Sequence, residues 1–101
     1  MNPEIKTKWL AALRSDDYAQ AKGKLRQYGR KKFCCLGVLA DINGEAWKAH
    51  DKRYWTTAGG DRGMYCDHGT GLGYDDAMGL IDLNDSGRTF LEIADHVEAN
   101  L

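Results

Sequence analysis

Phe33-Cys34-Cys35-Leu36-Gly37-Val38-Leu39-Ala40-Asp41-Ile42 is the long, almost unbroken apolar run of the chain, and it follows directly on the most basic segment. Burying a Val, Leu, Ile or Phe side chain completely contributes roughly 1.5–3 kcal/mol. Phe33, Leu36, Val38, Leu39 and Ile42 together therefore supply a stabilisation comparable with the whole net stability of a small domain, so the other segments read as covers for this one. Its length suits a buried strand, yet Leu36, Leu39 and Ala40 recur at i, i+3 and i+4, and Asp41 to Gly44 supplies a stop. Periodicity leaves helix and strand both open; a short buried helix is the favoured reading, with Gly37 allowing close backbone approach. Cys34 and Cys35 are most simply small buried hydrophobes. A nucleophilic thiol needs a nearby base and an electropositive, partly open setting, and the lysines just upstream keep a small thiol-dependent enzyme as an alternative.

Upstream, Tyr18 to Lys32 lacks helical apolar spacing, contains Gly23 and Gly29, and carries Lys22, Lys24, Arg26, Arg30, Lys31 and Lys32 within eleven residues. Alternation around Lys24-Leu25-Arg26 predicts a short strand or extended arm, and with no acid between Asp17 and Asp41 that arm suits phosphates. General nucleic-acid binding is not favoured, because the aromatic stacking partners in the arm are Tyr18 and Tyr28 and the pI is about 6.3. Downstream, Trp47, Tyr54, Trp55, Thr56 and Thr57, then Gly59-Gly60-Asp61-Arg62-Gly63, then Met64, Tyr65 and Cys66 read as an antiparallel hairpin turning at the glycines. Tyr54, Trp55 and Tyr65, beside Arg53 and Arg62, are candidates to stack a planar ring and hold an anion.

Further out lie the helices. Asn2, Pro3 and Glu4 form a helix start, and Ile5, Trp9, Ala12 and Leu13 repeat at i, i+4, i+7 and i+8, predicting an amphipathic helix that ends near Ser15 to Asp17 with Trp9 in the core. Gly69, Gly71 and Gly73 match neither phosphate-loop spacing and read as a flexible loop. Tyr74 to Gly79 predicts one short helical turn, and Asn84-Asp85-Ser86-Gly87 a polar turn. Thr89 and Glu92 have capping-box spacing, and Phe90, Ile93, Ala94, Val97 and Leu101 define the apolar stripe of a final helix. Glu92, Asp95, His96 and Glu98 on its outer face read as solvated surface. Cys66 and His68, with Cys34 or Cys35 and His50, have no zinc-ligand spacing, so no metal or other cofactor is expected.

The expected fold is therefore α+β: N- and C-terminal amphipathic helices and a short buried helix packed with a small antiparallel hairpin or sheet, in one globular domain over residues 1–101. No apolar run approaches a membrane span and no signal-peptide pattern is present, so the expectation is a cytoplasmic protein with reduced thiols. Residues 1–40 hold nine Lys or Arg against three acids and residues 41–101 five against twelve, a balance of +6 against −7. Charges pairing across the domain explain this simply; a basic surface for an anionic partner is the sharper alternative.

Lys24-x-Arg26 and Phe33-Cys34-Cys35-Leu36-Gly37-Val38-Leu39, combined with Leu83-Asn84-Asp85-Ser86-Gly87-x-Thr89-Phe90-x-Glu92-Ile93-Ala94, resemble a family of small phage and prophage proteins. Members carry a Cys-Cys-Leu-Gly-Val-Leu segment and a C-terminal Leu-Asn-Asp-Ser-Gly motif. Where that pattern often has a further cysteine, this chain has Ala40, and where it often has Leu-Pro, this chain has Gly71-Leu72-Gly73. The resemblance implies a small accessory protein of viral origin, with no assigned chemistry. Together with the basic arm and aromatic hairpin, it leads to the expectation of a non-catalytic counter-defence protein in the host cytoplasm. Such a protein would sequester a nucleotide-type signal, with Lys24 and Arg26 at phosphates, Trp55, Tyr54 or Tyr65 stacking the base, and Arg62 beside those rings to hold an anion. The alternative is an inhibitor of a host defence protein or nuclease complex; a pocket shared between subunits of a homo-oligomer, through Trp9 or Trp47, also stays open.

Overall fold

The computed structural model describes residues 1–27, 32–44, 47–50, 54–57 and 70–101. Helix α1 (Pro3–Arg14) begins as its sequence directs: Asn2 Oδ1 accepts hydrogen bonds from the amides of Glu4 (2.9 Å) and Ile5 (3.2 Å), and Pro3 occupies the first turn, where an N–H has no helical partner. Trp9 and Leu13 form its buried face. Strands β1 (Ala19–Gln20), β2 (Arg26–Gln27) and β3 (Lys32–Phe33) follow, then α2 (Cys35–Ile42), β4 (Trp47–His50), β5 (Tyr54–Thr57), α3 (Tyr74–Asp85) and α4 (Phe90–Asn100). The architecture is α+β.

The apolar run is a helix, and its whole circumference is covered. Cys35 to Ala40 are all buried, as expected of a helix apolar on every side. Helix α1 packs on α2 and α4, and α3 packs on both as well. Trp9, Leu13, Leu36, Leu39, Leu80, Ile93 and Val97 thereby join Leu25, Phe33 and Leu72 in one core. Gly37 is what allows α2 to approach the strand layer: a Cβ there would lie 1.8 Å from the carbonyl oxygen of Leu25. Trp9 is sealed in this core with its Nε1 donating to the Cys35 carbonyl (3.0 Å), which removes it from any subunit interface.

The five short strands lie in the order β1-β3-β2-β5-β4, with β1 and β3 parallel and the other pairs antiparallel. Strand β5 has β2 on one edge and β4 on the other, so the hairpin is formed by Trp47–His50 with Tyr54–Thr57. This corrects the expected hairpin, in which Tyr54–Thr57 paired across the glycines with Met64 to Cys66: both edges of β5 are already taken. The Gly59 to Gly63 turn and Met64, Tyr65 and Cys66 lie outside the described residues.

Two further expectations change in the C-terminal part. Helix α3 does not stop at Gly79 but runs twelve residues to Asp85. A glycine within a helix costs about 1 kcal/mol relative to alanine, and the burial of Ala77, Leu80 and Asn84 outweighs it. The segment after Gly69 is packed rather than flexible. Thr70 and Leu72 are buried, the Thr70 carbonyl accepts the Asn2 amide (2.7 Å), and Gly71, at φ +73°, lies so close to Met1 and Asn2 that a Cβ would meet their backbone at 2.9 Å. The final helix forms as its spacing predicts: Thr89 Oγ1 accepts from the Glu92 amide, and the Glu92 carboxylate accepts from the Thr89 amide. Its acidic face is partly paired, because Arg14 of α1 donates to Glu98 (2.6 Å) and Asp95 (3.0 Å). The opposite charges of the two halves meet across the domain at this point.

Candidate functional site

Arg26 lies in the middle of the sheet. In the ladder its partners are Phe33 of β3 and Trp55 of β5, and Trp55 is paired in turn with Ala49 of β4, so Phe33, Arg26 and Trp55 share one row across three strands. The Arg26 guanidinium carbon sits 5.3 Å from the centroid of the Phe33 ring and 5.6 Å from that of Trp47, within cation–π range of both. Phe33 in turn receives Tyr18 and Trp47 edge-on, at centroid separations of 5.1 and 5.8 Å. Three rings and a cation thus form one cluster where the sheet meets the end of α2.

Asp41 organises the open side of that cluster. Its Oδ2 accepts the Tyr18 hydroxyl (2.6 Å) and its Oδ1 accepts the Trp47 indole N–H (3.0 Å). Beside it a recess of about 350 Å³ is lined, among the described residues, by Asp17, Tyr18, Arg26, Phe33 and Asp41. Partial burial, the hydrogen bond to Asp41 and the negative charges of Asp41 and Asp17 push the Tyr18 phenol up to about 12. It therefore remains a neutral donor, fixing the Asp41 carboxylate. Such a recess, with rings, one guanidinium and two carboxylates in its described lining, can orient a planar ligand by stacking and by hydrogen bonds at its edge; the described groups around it do not form a nucleophile–base pair.

Of the residues the sequence singles out, Arg26 lines the recess and Trp55 is its ladder partner, while Tyr54 stands opposite Gln27. Lys24 lies exposed in the bend before β2, away from the lining. Arg62 and Tyr65 lie outside the described residues. Arg26 lies in the middle of the sheet, its guanidinium against the Phe33 and Trp47 rings in a recess that also holds Asp17 and Asp41. Sequence reasoning missed Asp17 and Asp41 and assigned Phe33 to the core alone; Tyr18 entered as an aromatic partner of the basic arm and Trp47 as a residue of a pocket between subunits. One signal was available. An acid in the last turn of a helix opposes the helix dipole, and Asp41, one residue before the end of α2 with no basic residue in that turn, needs donors from elsewhere.

The paired cysteines belong to the other end of α2. Cys34 Sγ caps the helix, accepting from the Gly37 amide (3.4 Å), and Cys35 Sγ donates to the Leu80 carbonyl (3.6 Å). Desolvation pushes the Cys35 thiol well above its ordinary pKa, the opposite of what a thiolate nucleophile needs. Next to it, the wholly buried amide of Asn84 closes a set of internal hydrogen bonds. Its Oδ1 accepts from Cys35 N (3.2 Å) and Gln20 Nε2 (2.9 Å), and its Nδ2 donates to the Ala21 carbonyl (2.8 Å). The Leu-Asn-Asp-Ser-Gly stretch is thus a latch joining α3 to β1 and α2, strengthened by Asp85, whose Oδ1 accepts the Gly23 amide (3.0 Å). A second recess of about 310 Å³ near Arg88, Glu92 and His96 holds none of the predicted residues.

Fold and recess define a small α+β protein with a polar, ring-lined recess at the edge of its helical core. By sequence the chain belongs to the DUF8296 family, a domain of unknown function, whose model matches residues 1–70. That span takes in α1, α2 and the described lining of the recess, and leaves α3 and α4 beyond it. No curated protein and no solved structure matches the chain. Among the described residues, no helix is long and apolar enough to cross a membrane.

Proposed function

We propose that this protein is a non-catalytic binding protein of phage type, acting in the host cytoplasm by sequestering a small nucleotide-type signal in the recess beside Arg26 and Asp41. The observation that carries this reading is the Arg26 guanidinium, held against the Phe33 and Trp47 rings at a recess of ligand size. The phage setting is supported by the resemblance in the Cys-Cys-Leu-Gly-Val-Leu and Leu-Asn-Asp-Ser-Gly segments. The test is thermal stability of the purified protein and of Arg26→Ala with a panel of cyclic nucleotides and ADP-ribose derivatives. A specific ligand at a hundred times its dissociation constant stabilises by about 2.7 kcal/mol, and Arg26→Ala abolishes the gain. No shift with any nucleotide would sink this reading.

The second reading, an inhibitor that occupies a host defence protein or nuclease complex, draws on the acidic outer side of the C-terminal helices, where Asp75, Asp76, Asp82 and Asp85 are exposed. Charge reversal at Asp75 and Asp76 separates the two, since it weakens capture of a basic host protein and leaves nucleotide binding unchanged.

A further inference from the structure

Resting on that reading, we propose that the recess receives the base of the ligand rather than its phosphate, and that the base presents two adjacent N–H donors, as guanine does, to Asp17. Charge argues first. The described lining contains one guanidinium and two carboxylates, so a phosphate placed there would face Asp17 and Asp41 at close range. The exposed lysines Lys22 and Lys24 lie outside it, in the bend before β2, where a phosphate meets no lining acid.

The two acids are not equivalent. Both oxygens of Asp41 already accept, from Tyr18 and Trp47. The Asp17 carboxylate is exposed and accepts no hydrogen bond from a described residue, so among the described lining its two oxygens are the open acceptors. A carboxylate is acceptor-only, and two parallel N–H groups on the edge of one ring satisfy it as a pair. Stacking argues next: Tyr18, Phe33 and Arg26 line the recess together, and aromatic rings and a guanidinium are the groups on which bases stack. Size argues last. At about 350 Å³ the recess is near the lower end of the roughly 300–1,000 Å³ range of ligand pockets, which suits one nucleoside and leaves further phosphates and sugars outside.

The experiment is calorimetric titration of wild type, Asp17→Asn and Arg26→Ala with guanosine, inosine and guanosine 5′-monophosphate. Inosine keeps the ring and lacks the 2-amino donor. Guanosine is expected to bind at least roughly tenfold more tightly than inosine to the wild type, the monophosphate within about threefold of guanosine, and Asp17→Asn to erase the preference while leaving the circular dichroism spectrum unchanged. Equal affinity for guanosine and inosine, or a preference that survives Asp17→Asn, overturns the proposal. If the nucleotide panel above still gives a ligand that needs Arg26, that failure belongs to the choice of base alone; silence from the whole panel removes both readings.

Discussion

At its N-terminal end α2 is clamped by hydrogen bonds that close on one another through the buried Asn84 amide, whereas at its C-terminal end Asp41 opens onto a recess whose described lining bears three charged side chains. The first end has no slack. Asn84, Cys35 and the carbonyls of Ala21 and Leu80 are mutually satisfied, and Gly37 touches the backbone of Leu25. The second end is held by two donors, the Tyr18 hydroxyl and the Trp47 indole, with open volume beside them. Buried polar groups thus serve two purposes on one eight-residue helix. When every partner is internal they specify packing; when a charged rim is left open they are available to a ligand.

The comparison is broken most directly at Gly37. Gly37→Ala drives a methyl group into the Leu25 carbonyl and is expected to cost about 3 kcal/mol or more, read as a lower urea midpoint; a variant as stable as wild type would show that α2 does not sit this close to β2. Asn84→Ala strands the Cys35 amide and the Ala21 carbonyl in the core, a loss of about 3 kcal/mol in the same measurement. An unchanged midpoint would mean that the latch is not closed in solution. At the open end the effects on stability shrink while those on binding grow. Arg26→Ala forfeits its two ring contacts, about 1 kcal/mol, yet removes the ligand-induced thermal shift altogether. Loss of binding without that modest destabilisation would put Arg26 elsewhere than on the rings.

The smallest effect is a dependence on pH. The Tyr18 phenol holds its proton up to about 12 in the folded protein against an ordinary value of 10.0. Below pH 10 both folded and unfolded chains keep that proton, and the contribution to stability is complete. Above it the unfolded chain ionises first, so the folded state binds more protons and loses stability as pH rises toward 12. Denaturant midpoints measured from pH 9 to 12 should decline by more in wild type than in Tyr18→Phe; parallel declines would mean that Tyr18 does not donate to Asp41.

The helices were legible from the sequence where their signals are local. Asn2 with Pro3 starts α1, Thr89 with Glu92 starts α4, and the apolar spacing of each marks the face that is buried. Local signals failed where a distant group decides. Gly79 reads as a stop because glycine weakens an isolated helix, and α3 continues through it because Leu80 and Asn84 are held by partners from other elements. Asn84 itself reads as a turn residue, since asparagine favours turns when its amide has nothing else to bond; Cys35 and Ala21, 49 and 63 residues away, supply the bonds. Of the predicted site, Arg26 was legible through its charge, but Asp17 and Asp41 were not, because nothing along the chain shows that the end of α2 faces β2.

The sequence alone was enough for the two terminal helices, the α+β class and the identity of the apolar run as the packing centre, since periodicity, caps and hydrophobic burial act over a few residues at a time. The tertiary structure alone decided which strands pair, that β5 lies between β2 and β4, and that Tyr18, Arg26, Phe33, Asp41 and Trp47 converge. Those choices depend on contacts between segments far apart in the chain, made when α2 seats Gly37 against Leu25 and so fixes the distance between helix and sheet.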